Sequence, residues 1–215
     1  MVAPARQPSP PPRHNTPPRW FHLLAGPNGA GKSTLYRALV REGILGPPLE
    51  FVNADLYEQA HLQHIADPEA RSEVARQWAD DRRATLLRES ADFASETVFS
   101  HPSKLELIEE AQRCGYTVAL YIVALDDPAR LLARVAQRVR EGGHPVPPER
   151  ILARYPRTMD NLAQAVRQAD VSYLYDAAEA TGTSTGPQLV AVCSPAQVTP
   201  LAQPLPAWAQ RLTGQ

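Results

Sequence analysis

The feature that most constrains the fold of this chain is residues 26–33, which read Gly-Pro-Asn-Gly-Ala-Gly-Lys-Ser. This run matches the phosphate-binding pattern G-x-x-x-x-G-K-[ST], which works chemically only between a strand and a helix. An apolar run at 20–25 precedes the motif and a helix-like stretch at 33–42 follows it. Backbone N–H groups of such a loop, together with the helix N-terminus, surround a phosphate chain. The pattern therefore predicts a nucleotide-binding loop. The alternative is a glycine-rich turn that binds no ligand.

Within this loop, Lys32 is expected to contact the β- and γ-phosphates, and the Ser33 hydroxyl to bind Mg²⁺. Only Lys32 and Lys104 are lysines among 22 basic residues, so a lysine in the motif stands out against an arginine-rich background. No Asn-Lys-x-Asp guanine motif occurs, which favours ATP. The predicted nucleotide-binding residues are consecutive: Gly26, Pro27, Asn28, Gly29, Ala30, Gly31, Lys32, Ser33 and Thr34.

Composition narrows the class of protein. A length of 215 residues fits one domain, and a net charge of −1 argues against a general nucleic-acid binder. No run approaches the roughly 18–20 apolar residues of a membrane span. Cys114 and Cys193 lack metal-ligand spacing. We therefore expect a cytoplasmic protein with reduced cysteines that binds neither membranes nor nucleic acid.

Proline marks both ends of the chain. Residues 1–19 are proline-rich and predict a disordered tail, while residues 20–194 contain the periodic segments of a kinase-like domain. Residues 195–215 carry four further prolines and predict an irregular surface tail, pinned by Trp208.

Alternation of segments predicts an α/β fold. Apolar runs at 21–25, 49–53, 93–99 and 118–125 read as buried strands, and 188–193 reads as a last strand. Helix-like stretches at 33–42, 69–90, 103–114 and 129–140 separate or follow them, and 149–154 and 158–169 are also expected to be helical. This order predicts a P-loop NTPase-like parallel sheet flanked by helices, with a helical lid.

Ligands bind beyond the carboxyl ends of the strands in such sheets. Asp55 follows the second strand and is a candidate general base or water-mediated Mg²⁺ ligand; the alternative is a helix cap. Glu96 lies in an apolar strand, where burial of a carboxylate requires a partner. The expected partner is an arginine or a ligand hydroxyl, and the alternative is a purely structural ion pair. Asp126 and Asp127, after the fourth strand, are expected to face the nucleotide or its acceptor.

Other polar groups extend this prediction. Thr97, Ser100 and His101 are expected to bind the acceptor, although His101 could instead cap a helix. The lid at 141–148 lies between Arg138 and Arg154, which are the favoured phosphoryl clamps. Arg134 shares a helix face with Arg138. Three arginines are instead expected to be solvated: Arg130, Arg140 and Arg150.

Together these segments resemble the zeta-toxin family of P-loop kinases. The resemblance is carried by LAGPNGAGKST, VNAD, SETVFS, ALDDP, GGHPVP and RYPR, spread over residues 20–176. It implies ATP- and Mg²⁺-dependent phosphorylation of UDP-N-acetylglucosamine, with Asp55 as general base and Glu96 orienting the acceptor. It also implies a toxin restrained by a small helical antitoxin that blocks nucleotide binding. Two alternatives stay open: a kinase for another small acceptor (dinucleotide, nucleoside or sugar acid), or a nucleotide-binding switch without acceptor phosphorylation.

Overall fold

One seven-stranded sheet organises the molecule. The computed structural model describes residues 18–47, 49–140, 146–177 and 186–215. The strand order is β2-β3-β1-β4-β5-β6-β7, parallel from β2 to β5 and antiparallel for the last two strands. The strands are β1 Arg19–Ala25, β2 Glu50–Val52, β3 Phe93–Thr97, β4 Tyr116–Ala124, β5 Val171–Asp176, β6 Gln188–Ser194 and β7 Gln197–Pro200.

Helices cover both faces of this sheet. They are α1 Lys32–Arg41, α2 Ala54–His61, α3 Pro68–Glu89, α4 Ser103–Arg113, α5 Pro128–Arg140, α6 Pro148–Gln168 and α7 Ala207–Thr213. Local chemistry explains their ends: Asp67 accepts hydrogen bonds from the first turn of α3, whose first residue is Pro68. Gly115, with a φ of +82°, follows α4 and allows the chain to turn into β4.

The core has two layers because successive residues of a strand point to opposite faces. Phe21 and Leu23 of β1 pack with buried residues of α3, α4, α6 and α7, whereas Leu24 packs with α1 and α5. The central strand β4 is buried along almost its whole length, as expected of a parallel strand covered on both faces. The predicted fold class is therefore confirmed.

Several elements differ from the sequence prediction. The sequence prediction missed the short helix α2 and the strand β5. In β5, Ser172 interrupts the apolar run and Asp176 ends it. The two helical pieces predicted around Pro156 form one helix, α6. Pro156 has no N–H to donate to the carbonyl oxygen of Leu152, four residues earlier in the helix. Both residues are exposed, so water can satisfy that carbonyl.

The predicted irregular tail over 195–215 is wrong for much of its length. Strand β7 extends the sheet, and α7 buries Trp208 and Leu212 in the core, so the expected packing of Trp208 is confirmed. Of the tail predicted over 1–19, residues 1–17 lie outside the described residues, whereas Arg19 is not in a tail because it begins β1. Of the lid predicted over 141–148, residues 141–145 lie outside the described residues, and Pro148 begins α6. The division into a kinase domain and two tails otherwise stays a prediction.

Candidate active site

The loop between β1 and α1 has a backbone that only glycine fits at two positions. Gly26 has a φ of +146°, and a Cβ there would lie 2.1 Å from the Val123 carbonyl oxygen. Gly29 has a φ of +81°, and its Cβ would lie 2.6 Å from the Leu131 carbonyl oxygen. The loop is thus wedged against β4 and α5, and no side chain caps the first turn of α1. This geometry leaves a helix N-terminus open to an anion.

Lys32 is held inside this loop. Its side chain is 6% exposed, and its ammonium donates to the carbonyl oxygens of Gly26 and Pro27 at 3.0 and 3.2 Å. The same nitrogen lies 3.6 Å from a carboxylate oxygen of Glu96. The predicted phosphate-binding cation therefore sits at the mouth of the loop, fixed by backbone and by one carboxylate.

Glu96 contacts the phosphate-binding loop and the residue that follows β2. Its Oε2 atom accepts hydrogen bonds from Asn53 Nδ2 at 2.9 Å and from Ser33 Oγ at 3.3 Å. The sequence prediction required a partner for this carboxylate and named an arginine or a ligand hydroxyl. The structure supplies Lys32, Asn53 and Ser33, because β3 lies between β1 and β2 in the sheet. The contact with Lys32 is the ion pair that the sequence analysis gave as the alternative.

Ser33 and Glu96 together fit a magnesium site. A hydroxyl and a carboxylate oxygen lie 3.3 Å apart at the start of α1, and Mg²⁺ prefers oxygen ligands while retaining several waters. The adjoining loop, with its glycine backbone and Lys32, fits the phosphates of ATP. The residues present therefore suit both groups that the motif implies.

Asp55 lies in the first turn of α2, and its side chain is exposed. The alternative role as helix cap is wrong, because the N-cap is Asn53, whose side-chain oxygen accepts from the Leu56 N–H at 3.1 Å. Asp55 thus does not cap this helix end, although its charge in the first turn is favourable to the helix dipole. It lines the same cleft as Lys32 and Glu96.

That cleft has a volume of about 720 Å³ and brings most of the predicted site together. Thr97, Ser100 and His101 line it beside Asp55. His101 Nδ1 also accepts from the Ser103 N–H at 3.2 Å, so the capping alternative holds for this residue as well. Arg138 and Arg154, the favoured clamps, both contribute to the wall.

Two other predictions for this site are wrong. Asp126 accepts hydrogen bonds from the backbone N–H groups of Ala207 and Trp208, so it caps α7. Asp127 accepts from the Ala129 N–H at 2.9 Å and caps α5. The carboxylates after β4 therefore serve helix ends. Strand-end position alone could not separate this role from ligand binding.

The family model described as Zeta toxin matches residues 7–181. This chain belongs to the zeta toxin family. No curated protein matches it significantly.

Solved structures agree on the fold. The PezAT toxin-antitoxin system of Streptococcus pneumoniae has a chain that is 17% identical, with a TM-score of 0.60, covering 76% of this chain and 70% of that one. The AvrRxo1-ORF1:ORF2 complex with ATP is 17% identical, with a TM-score of 0.61 over 86% and 61%. The RNA repair complex Pnkp1/Rnl/Hen1 is 17% identical, with a TM-score of 0.56 over 71% and 48%.

Membership of the zeta toxin family makes this chain an ATP-dependent phosphotransferase that acts on small molecules. The nucleotide-binding loop described above is the part of the fold that this activity requires. Among the helices in the described ranges, none combines the length and the apolar character needed to cross a bilayer.

Sequence reasoning placed Arg154 in the site but missed its neighbours Arg150 and Arg157 in the cleft wall. Arg150, Arg154 and Arg157 follow one another at helical spacing on one face of α6 and all line the cleft. Arg150, expected to be solvated, lies 3.2 Å from Glu69 of α3. Arg134 donates to the carbonyl oxygens of Ala177 and Ala30, and so supports the loop from behind. The spacing on α6 was the one signal that could have found this row.

The remaining missed residues come from α3 and α4. They are Arg76, Arg83 and Lys104, which line the opposite wall of the cleft. Nothing in the local sequence indicated them, because α3 has charged residues on most of its surface. Their position beside β3 follows only from the packing of the two helices on the sheet.

Proposed function

We propose that this zeta toxin family member transfers the γ-phosphoryl group of ATP to a hydroxyl of a nucleotide-sugar, with UDP-N-acetylglucosamine as the first candidate, and acts as a toxin. One observation carries this proposal: Asp55 lines the same cleft as Lys32 and Glu96, without a capping role of its own. A protein that only binds nucleotide does not need a second carboxylate there. The resemblance of the motifs to the family supports the choice of acceptor.

Each residue then has a role in the transfer. Asp55 accepts the proton of the acceptor hydroxyl as that oxygen attacks phosphorus. Lys32, Arg138 and Arg154 offset the negative charge that develops on the transferred group. Ser33 and Glu96 would hold Mg²⁺, which when bound neutralises phosphate charge. Thr97, Ser100 and His101 are proposed to bind the acceptor. Orientation of the acceptor by Glu96, which the family resemblance implies, stays a prediction.

A protein partner belongs to the same proposal. The PezAT structure is titled a toxin-antitoxin system, and the family resemblance implies a small helical antitoxin that blocks nucleotide binding. Expression of this chain should then arrest growth of a bacterial host, and Lys32→Ala should remove the arrest. Equal toxicity of the two proteins would contradict a kinase toxin.

The deciding experiment is mass spectrometry of a metabolite mixture incubated with the purified chain, ATP and Mg²⁺. Lys32→Ala serves as the blank, and the exposed Arg167→Gln on α6 serves as a matched surface control. We expect UDP-N-acetylglucosamine to gain one phosphate. Phosphorylation of a different metabolite would retain the kinase and replace its acceptor. ATP hydrolysis without any phosphorylated metabolite would favour the nucleotide-binding switch.

A further inference from the structure

One carboxylate of α3 is shared by three cations that line the cleft. Asp80 of α3 accepts hydrogen bonds from Arg76 Nη1 at 2.9 Å, from Lys104 Nζ at 3.0 Å and from Arg83 Nη2. Asp80 can neutralise only one of these charges. The group of Arg76, Asp80, Arg83 and Lys104, called the Asp80 cluster below, carries a formal charge of +2, which falls to +1 when Glu73, the other salt-bridge partner of Arg76, is included.

Arg83 is the buried member of the Asp80 cluster. Its side chain is 5% exposed, and Nη1 donates to Ser95 Oγ at 3.1 Å, next to Glu96 in β3. Burial of a guanidinium is unfavourable unless its charge is paired. Burial, assisted by neighbouring cations, lowers the pKa of both Arg83 and Lys104. The cluster thus holds more positive charge than its own carboxylate satisfies.

The position of Lys104 is also unfavourable for the isolated fold. It lies in the first turn of α4, where the helix dipole favours a negative charge, and it is one of only two lysines in the chain. Its side chain is 17% exposed and lines the cleft. The ion pair with Asp80 offsets this cost, and it places the ammonium group of Lys104 at the cleft.

Charge is concentrated across the whole cleft. Among the described residues that line it are eight cationic side chains and two carboxylates, a formal charge of +6 in a chain whose net charge is −1. Arg154 and Arg157 of α6 also line the cleft, and no carboxylate in the described parts of the chain forms a salt bridge with either. The phosphates of ATP belong at Lys32. Glu69 pairs with Arg150, Glu73 pairs with Arg76, and Asp80 is shared by Arg83 and Lys104. The six lining cations on α3, α4 and α6 still exceed these three carboxylates, and this surplus points to a second anion.

We propose that the Asp80 cluster, through Arg83 and Lys104, is an anion-binding subsite that holds a phosphate ester or a carboxylate of the acceptor. The inference rests on the proposed function only in assigning this anion to the acceptor. Binding of the anion would supply the negative charge that the cluster lacks. Because Glu73 pairs with Arg76, an acceptor without a fixed anion would leave one cation of the Asp80 cluster unmatched in the cleft.

The test measures anion binding without turnover. The full chain is first saturated with Mg²⁺ and the non-transferable analogue AMP-PCP, so that the phosphate loop is filled. Calorimetry then follows titration with inorganic phosphate and, separately, with glucuronate, which distinguishes a phosphate from a carboxylate subsite. Lys104→Gln should weaken binding by about tenfold to a hundredfold, the usual weight of a charge-assisted hydrogen bond.

Asp80→Asn gives the opposite prediction. It removes the internal carboxylate that competes for the cations, so the anion should bind more tightly than to the unmodified chain. Arg88→Gln on the exposed side of α3 is the matched control and should change nothing. Arg83 is not substituted, because loss of a buried cation can unfold the protein. Circular dichroism and melting temperature verify the fold of each variant.

The outcomes separate the subsite from the enzyme. Unchanged affinity in Lys104→Gln together with no gain in Asp80→Asn would overturn the subsite and leave a structural ion-pair network. Phosphorylation of a neutral acceptor would also overturn the subsite, while the kinase proposal would stand. Anion binding that follows both variants as expected, with no metabolite phosphorylated, would support the subsite and remove the proposed function.

Discussion

The cleft has a donor end at the phosphate-binding loop and a proposed acceptor end at α3, α4 and α6, and the two ends present positive charge by different means. At the donor end, backbone atoms and a lysine form the site, and glycines at 26 and 29 fix the loop against β4 and α5. At the acceptor end, long cationic side chains from α3, α4 and α6 form the site. The donor end is one contiguous segment of eight residues, whereas the acceptor end gathers residues more than 70 positions apart.

This difference teaches which part of the site can vary. A backbone cradle recognises a phosphate chain in any side-chain context, so its sequence is narrowly constrained. A wall of arginines can change its pattern by single substitutions without refolding the sheet. On the proposed function, the donor is therefore set by the fold, whereas the acceptor depends on Asp55, on the segment between β3 and α4, and on the surfaces of α3, α4 and α6.

The largest expected effect is on kcat, when Asp55, the proposed general base, is replaced. Asp55→Asn should lower kcat by about 10²–10⁴, the usual weight of a general base, while the affinity for ATP stays near that of the unmodified chain. Steady-state kinetics with the identified acceptor and direct ATP binding are the two measurements. Asp81→Asn, an exposed aspartate of α3, is the control. An unchanged kcat would remove Asp55 from the mechanism.

Gly29→Ala should break the donor end through its backbone. The new Cβ would meet the Leu131 carbonyl oxygen at a positive φ, and we expect a loss of about 2–4 kcal/mol in the free energy of unfolding. Gly43→Ala is a matched control, with a φ of +74° and no atom within 4 Å, and should lose only about 1–2 kcal/mol. Equal melting curves for the two variants would show that the close contact with α5 does not constrain the loop.

Arg154→Gln should weaken the side-chain wall without affecting the fold. We expect kcat/KM to fall by about 10–10², since Arg138 on α5 shares the task of offsetting charge. Burial and repulsion from Arg150 and Arg157 lower the pKa of Arg154, so the glutamine relieves a local cost and should not reduce the melting temperature. A fall in stability with unchanged kinetics would assign Arg154 to structure.

The smallest effect is expected outside both ends. Arg82 of α3 donates to both carboxylate oxygens of Glu50 in β2, at 2.7 and 2.6 Å, and this contact holds the pKa of Glu50 below its ordinary value. Such a half-exposed pair contributes about 0.2–1 kcal/mol after screening by water.

The sign of its pH dependence follows from that lowered pKa. The contribution is complete above the pKa of Glu50 in the unfolded chain and is lost as the pH falls through the lower pKa of the folded protein. Denaturant unfolding of the unmodified chain and of Arg82→Gln should therefore differ near pH 7 and converge in acid. A difference that grows in acid would show that the pair does not act in this way.

The sequence by itself determined the donor end and the parallel core. The motif at 26–33 needs only local backbone geometry and a flanking strand and helix, and the apolar runs at 21–25 and 118–125 indicated the buried strands. Glu96 and Asp55 could be singled out because an acidic group in or after such a strand requires a reason.

Only the tertiary structure decided the partners of those residues. Glu96 meets Ser33 because β3 pairs with β1, and Asp126 caps α7 because a C-terminal helix folds back over 80 positions of sequence. The Asp80 cluster likewise forms where α3 and α4 converge on β3. Local propensity carries no information about such long-range contacts, which depend on how helices pack on a sheet whose strand order differs from the order of the chain.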